Sequence, residues 1–175
     1  MNRDDKKLKV FPLLTEKEIK KKIKQLAEEI SRDFKGQEVI LLGILKGSFV
    51  FMADIIREMK IPLKCEFIKI SSYSGYHQKK IKLQLLNSLS LKGKNVIVLE
   101  DIVDTGNTLD EILKRLRRDK PRCLRVCCLL VKEKERKKDI KVDYTGFKIP
   151  DKFVVGFGLD YKENFRNLKY IGYIE

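Results

Sequence analysis

Apolar residues recur along the chain in two rhythms, one of helices and one of buried strands. Thr15 precedes Glu18 by three residues, the spacing of a reciprocal helix N-cap. Ile19, Ile23, Leu26, Ala27 and Ile30 then follow at helical intervals as far as Gly36. Residues 39–45 (VILLGIL) form a continuous apolar run, the signature of a strand covered on both faces. Lys46-Gly47-Ser48 turns the chain, and residues 48–59 read as a helix with Pro62 beyond its end. Residues 64–70 (KCEFIKI) alternate and predict a strand, 71–80 are polar and predict a loop, and 81–86 predict a further strand. Lys92-Gly93-Lys94 turns into a strand at 96–99. Leu109, Ile112, Leu113 and Leu116 give 108–118 a helical period that Pro121 stops. Strands are expected at 124–131 and 153–157, and the charged opening to about residue 13 is expected to be loosely ordered.

Buried strands joined by helical crossovers imply an α/β fold with a parallel sheet. Ligands of such sheets sit beyond the carboxyl ends of the strands. That rule places Lys46-Gly47, the 100–108 segment, Lys132 and residues 158–160 on one rim. The length, 175 residues, suits a single domain over 1–175.

Composition narrows the classes. Hydrophobic residues make up 43% of the chain, enough for a sizeable core. The formal charge is +14, from 39 Lys and Arg against 25 Asp and Glu. The surplus admits nucleic acid, small polyanions or a merely solvated basic surface, with tracts such as Lys20-Lys21-Lys22 and the 134–138 run. Aromatic residues are not interleaved with a basic stripe, which disfavours single-strand stacking. No apolar stretch reaches the length of a membrane span and no signal-peptide core opens the chain, so a cytoplasmic protein is expected. Cys65, Cys123, Cys127 and Cys128 show no zinc-ligand spacing and are expected to be reduced core residues; His77 is expected in an exposed loop.

The chemistry concentrates in VIVLEDIVDTGNTL, residues 96–109. A strand there runs into Glu100 and Asp101, then into the loop Asp104-Thr105-Gly106-Asn107-Thr108 and a helix. Amides at a helix start lack internal partners, Gly106 permits close approach, and the helix dipole favours an anion: together, a phosphate cradle. Neither a Walker loop nor a dinucleotide fingerprint is present. Glu100 and Asp101 would repel a bare phosphate but suit sugar hydroxyls or a hard cation, so a sugar phosphate is the ligand class indicated.

The same stretch resembles the phosphoribosyl pyrophosphate (PRPP) motif of type I phosphoribosyltransferases. GILKGSFVFMADI resembles the family's pyrophosphate-loop strand and helix, and SSYSG the start of its mobile loop. VDYTGFKIPDKFVVGFGLDYKENFRNL resembles the C-terminal signature of the hypoxanthine and hypoxanthine-guanine branch. The resemblance implies the type I phosphoribosyltransferase fold, a mainly parallel sheet flanked by helices with a small hood from the terminal segments. It implies purine salvage: transfer of phosphoribosyl from PRPP to hypoxanthine or guanine, giving IMP or GMP and pyrophosphate, with Mg²⁺ and a homodimer or homotetramer. By the same resemblance Asp104 would be the proton acceptor near the purine. Thr105, Gly106, Asn107 and Thr108 would hold the 5′-phosphate, and Glu100 and Asp101 the ribose hydroxyls. Lys46, Gly47 and Arg166 would hold pyrophosphate, at a loop where relatives carry a cis-capable peptide. Lys132, Phe153 and Val154 would recognise the purine. Ser72 and Tyr73 would belong to the lid, and Glu100, Asp101 and Asp160 would serve the metal. After SSYSG the chain departs from the family, with bulky, basic Tyr76-His77-Gln78-Lys79-Lys80 in place of small residues. RNA-binding regulators built on this fold and xanthine-preferring enzymes remain as alternatives at this point.

Overall fold

The computed structural model describes residues 8–75, 78–85, 90–133 and 140–175, with the backbone alone for 70–75 and 78–85. His77 and the 134–138 basic run lie outside the described residues. The elements run β1 (Val10–Leu14), α1 (Glu16–Asp33), β2 (Val39–Leu45), α2 (Phe49–Glu58), β3 (Leu63–Gly75), β4 (Gln78–Leu85), β5 (Asn95–Val103), α3 (Asn107–Arg118), β6 (Cys123–Lys132), β7 (Tyr144–Ile149), β8 (Phe153–Val155) and β9 (Ile171–Ile174). The larger sheet has the order β4-β3-β2-β5-β6-β7. Its strands are parallel except β4, which pairs antiparallel with β3. A second, antiparallel sheet, β1-β9-β8, joins the two ends of the chain and forms the hood.

Period 2 in the apolar runs explains the layers. Val39 and Leu41 of β2 pack with α1 and α2 residues such as Ile23, Ile30, Phe51 and Ile55. Ile40, Leu42 and Ile44 point the other way, onto Leu109, Ile112, Leu113 and Leu116 of α3. A strand buried on both faces has no polar positions to spare, hence the unbroken run VILLGIL. The expected cap of α1 is formed: Glu18 N–H donates to Thr15 Oγ1 at 3.3 Å and Thr15 N–H to Glu18 Oε2 at 2.8 Å.

Four expectations change. The opening segment contains a strand, β1, because it pairs with β9 at the far end of the chain. The 71–80 loop is mostly ladder: β3 continues to Gly75 and β4 starts at Gln78, with Ser72 opposite Ile81. β5 does not stop at Leu99 but runs through both acids to Val103, paired with β6 at Glu100↔Cys128 and Val103↔Val131. Residues 153–157 form only the short hood strand β8, and β7, unanticipated, closes the main sheet. Cys127 and Cys128 are fully buried, while Cys65 and Cys123 are partly buried; all four are free thiols. Among the described residues no helix is long and apolar enough to cross a membrane.

Candidate active site

The carboxyl ends of β2, β5 and β6 meet the 156–166 loop of the hood around a cavity of about 330 Å³. Lys46, Gly47, Asp101, Asp104, Lys132, Phe153, Val154, Asp160 and Arg166 all line it, with Ile102 and Leu159 as its apolar wall. A smaller recess of about 150 Å³ is lined by Glu100, Asp104, Thr105, Gly106, Thr108 and Leu109. Ile102 and Asp104 belong to both, so the two spaces meet at the end of β5. Strand alternation creates this division. Glu100 and Asp101 are neighbours in β5 and face opposite sides of the sheet. Glu100 accordingly enters the recess with the Thr/Gly loop, and Asp101 enters the larger cavity.

The recess is capped by the start of α3. Gly106 takes φ +80° as the N-cap, and the first helical bond runs from Asp110 N–H to Gly106 O at 2.9 Å. The amides of the preceding turn therefore have no intrahelical partners and are available to an anion. Asn107 is exposed and is not part of the lining.

In the larger cavity the backbone approaches closely. The Leu45–Lys46 peptide is cis. A Cβ at Gly47 would collide with the Asp101 carboxylate, and one at Gly158 with the Gly47 carbonyl. Ser48 is fully buried and donates from Oγ to Ile44 O at 2.7 Å, holding the turn. On the hood side Arg166 donates to Gly158 O at 2.7 Å and pairs with Asp160 at 2.7 Å. Lys132 Nζ, with a side chain 12% exposed, sits 2.8 Å from Asp151 and 3.7 Å from Asp104. Phe153 leaves 52% of its surface exposed at the cavity edge, its ring braced edge-to-face by Tyr161 at 5.7 Å.

Burial dominates the electrostatics of the β5 acids. Burial pushes the Asp101 carboxyl up to about 6, with the Asp160 charge adding to the shift, against the donated Ile102 N–H at 3.0 Å and the Arg166 charge. Burial, then the Asp101 charge, raises Glu100 well above its ordinary value, and its Oε2 is buried with no hydrogen-bond partner. Arg166 Nε is likewise buried and unpartnered. Among the described residues no group of three or more His, Cys, Asp or Glu forms a metal cage.

Sequence reasoning missed Asp151 and Glu163. Asp151 is the nearest carboxylate to Lys132. Glu163 pairs with Lys46 at 2.9 Å and Arg166 at 3.4 Å, and the Lys46 ammonium holds its carboxyl below the ordinary value. The signal for Glu163 was its spacing, three residues from both Asp160 and Arg166. Ser72 and Tyr73 are on β3, but the placement of their side chains lies outside the described residues.

A family model described as the phosphoribosyl transferase domain matches residues 12–162. The chain belongs to the phosphoribosyltransferase family. Its relatives include the hypoxanthine phosphoribosyltransferase of Salmonella typhimurium, 40% identical over 91% of this chain and 92% of that one. The hypoxanthine-guanine phosphoribosyltransferase of Staphylococcus aureus is 43% identical over 91% and 90%. A crystal structure of a hypoxanthine-guanine phosphoribosyltransferase from Bacillus anthracis superposes with a TM-score of 0.89, at 42% identity, covering 96% of this chain and 99% of that one. Both the phosphoribosyltransferase fold and the family expected from the motif hold for this chain, and the RNA-regulator alternative is not favoured.

Proposed function

We propose that this protein is a cytoplasmic purine-salvage enzyme of one domain that transfers the phosphoribosyl group of PRPP to hypoxanthine and/or guanine, giving IMP or GMP and pyrophosphate. The observation that carries the reading is the junction of two unlike spaces at Ile102 and Asp104. One is a small amide- and hydroxyl-lined cradle. The other is a larger cavity with cations at one end and an exposed aromatic ring at the other. A phosphorylated sugar bridging the junction puts its 5′-phosphate in the cradle and its anomeric carbon in the cavity.

On this reading Thr105, Gly106 and Thr108 bind the 5′-phosphate, Asn107 joins them through its backbone amide alone, and Glu100 and Asp101 accept hydrogen bonds from the ribose hydroxyls. Lys46, the Gly47 backbone and Arg166 receive the pyrophosphate, and the bare backbone at Gly47 lets it come close. Phe153 stacks on the purine and the Val154 backbone meets its six-membered ring. Lys132 donates to the 6-oxo group, a position where adenine presents a donor instead. The C1′–O bond to pyrophosphate breaks as the purine nitrogen bonds to C1′. Asp104, close to Lys132, stabilises the positive charge that develops and accepts the purine proton. Ser72 and Tyr73 belong to the lid that keeps water from the activated sugar.

The residues present fit Mg²⁺. Glu100 and Asp101 are buried acids raised above their ordinary values, Asp160 lines the larger cavity beside Asp101, and Mg²⁺ commonly takes one or two carboxylates with the rest of its shell from phosphates and water. Asp101 and Glu100 would hold it on the ribose side and Asp160 on the pyrophosphate side, and its contribution would be to neutralise the leaving group. We further propose a homodimer or homotetramer that binds neither nucleic acid nor membrane. The test is pyrophosphate release from PRPP and Mg²⁺ with each purine. Turnover with hypoxanthine or guanine and little with adenine is expected; binding of the nucleotides without any turnover would overturn the assignment.

A further inference from the structure

Glu163 is the one acid in the hood loop that reaches across the site. Its Oε2 lies 2.9 Å from Lys46 Nζ, on the turn after β2, and 3.4 Å from Arg166 Nη2. A single carboxylate oxygen thus joins two cations, one of which, Lys46, lies 117 residues from Glu163 in the chain. Its place is set by the loop rather than by chance. Lys162, Glu163 and Phe165 take φ of +48°, +65° and +75°, and Glu163 N–H donates to Asp160 Oδ2 at 2.8 Å. Three non-glycine residues at positive φ in four positions form a tightly wound turn that projects Glu163 at Lys46. Both cations line the larger cavity, whereas Glu163 stands outside its lining. The carboxylate therefore draws Lys46 toward the rim.

We propose that Glu163 is an internal competitor for the pyrophosphate subsite: in the free protein its carboxylate occupies the cation pair that the leaving group's phosphates must engage, and Lys46 exchanges one for the other as PRPP enters and pyrophosphate leaves. The proposal rests on the assignment of Lys46 and Arg166 to pyrophosphate. The chemistry suits a latch that opens readily. Lys46 and Glu163 side chains are 63% and 66% exposed, and an ion pair in that setting is weak enough to yield to a polyanion. Arg166 keeps Asp160 at 2.7 Å and Gly158 O at 2.7 Å whether or not Glu163 stays, so Lys46 is the cation that moves. A competing anion weakens the bound state and speeds release, which serves an enzyme whose product is itself a polyanion.

The test compares the wild-type chain with Glu163→Gln and Glu163→Ala by titrating Mg-pyrophosphate calorimetrically, then measuring KM for PRPP and for hypoxanthine. Glu163 is exposed and outside the core, so both variants should melt with the wild type. Removing a competing exposed pair should tighten pyrophosphate about two- to five-fold and lower the KM for PRPP by the same factor, leaving the KM for hypoxanthine unchanged. Unchanged or weaker pyrophosphate binding in both variants would overturn the latch. Failure of the wild type itself to bind pyrophosphate would instead overturn the subsite assignment beneath it.

Discussion

Replacing Asp101 with Asn should stabilise the ligand-free protein while impairing its use of PRPP. Burial raises the Asp101 carboxyl from an ordinary 3.8 to about 6, so ionising it in the folded state carries a penalty that the unfolded chain does not feel. The sign follows from the raised value. Below pH ~4 the group is protonated in both states and the penalty is absent; it grows as pH rises and is complete above pH ~6. About two pKa units at 1.36 kcal/mol each set an upper bound of ~3 kcal/mol, and relaxation of a partly accessible site brings this to roughly 2 kcal/mol. Asn has no charge to bury and still offers an oxygen to the Ile102 amide, 3.0 Å from Asp101 Oδ1. In a chain of 175 residues, ~2 kcal/mol corresponds to a rise in Tm of roughly 4–8 °C. Thermal melts of metal-free protein at pH 7.5 and pH 5 should show the full gain at the higher pH and about half of it at the lower. Addition of Mg-pyrophosphate should then favour the wild type, because its carboxylate gains a counter-ion that Asn cannot use. A variant that melts with or below the wild type at pH 7.5 would refute the idea that Asp101 is held at an energetic cost for its ligand.

The same residue shows where the sequence was readable and where it was not. Local patterns carried the parallel sheet, because VILLGIL and VIVL are apolar without a break and the helices repeat at 3.6 residues. They also carried the loop after β5, because Gly106 and its threonines are adjacent in the chain. The end of β5 was misread, since Glu100 and Asp101 look like the polar stop of a strand. The ladder to β6 overrides that local polarity: Glu100 pairs with Cys128 and Ile102 with Leu130. β1 was missed for a different reason. VFPLL contains Pro12 and has weak strand character, and its partner β9 lies at the other end of the chain. Asp151 and Glu163 were missed because charge pairing is a property of three-dimensional neighbours. Lys46 and Glu163 are brought together by the packing of Gly158 on Gly47, a contact that only a bare backbone permits.

Two further perturbations separate the site from the scaffold. Asp151→Asn removes the carboxylate 2.8 Å from Lys132 Nζ and leaves Asp104 at 3.7 Å to draw the ammonium away from the purine. The KM for hypoxanthine should rise about three- to ten-fold, on a charge-assisted contact of ~1 kcal/mol, with the KM for PRPP unchanged; an equal rise in both would contradict the role given to Lys132. Tyr144→Phe acts at the opposite end of the sheet, where the Tyr144 hydroxyl donates to Asp33 at 2.8 Å and Arg125 pairs with Asp33 at 2.6 Å. The Tyr144 hydroxyl is the first cause holding Asp33 below its ordinary value, so the stability this provides is present above pH ~4 and lost as pH falls through the folded value. Urea titration at pH 7 should show a loss of about 1–2 kcal/mol that shrinks on acidification, since the ring stays buried and only the hydroxyl is lost. Turnover at 25 °C should not change, because Asp33 and Arg125 lie toward the amino ends of the strands and the proposed catalytic rim lies at their carboxyl ends. A matching loss of kcat would mean that the tie between α1, β6 and β7 governs the geometry of the rim and not merely the survival of the fold.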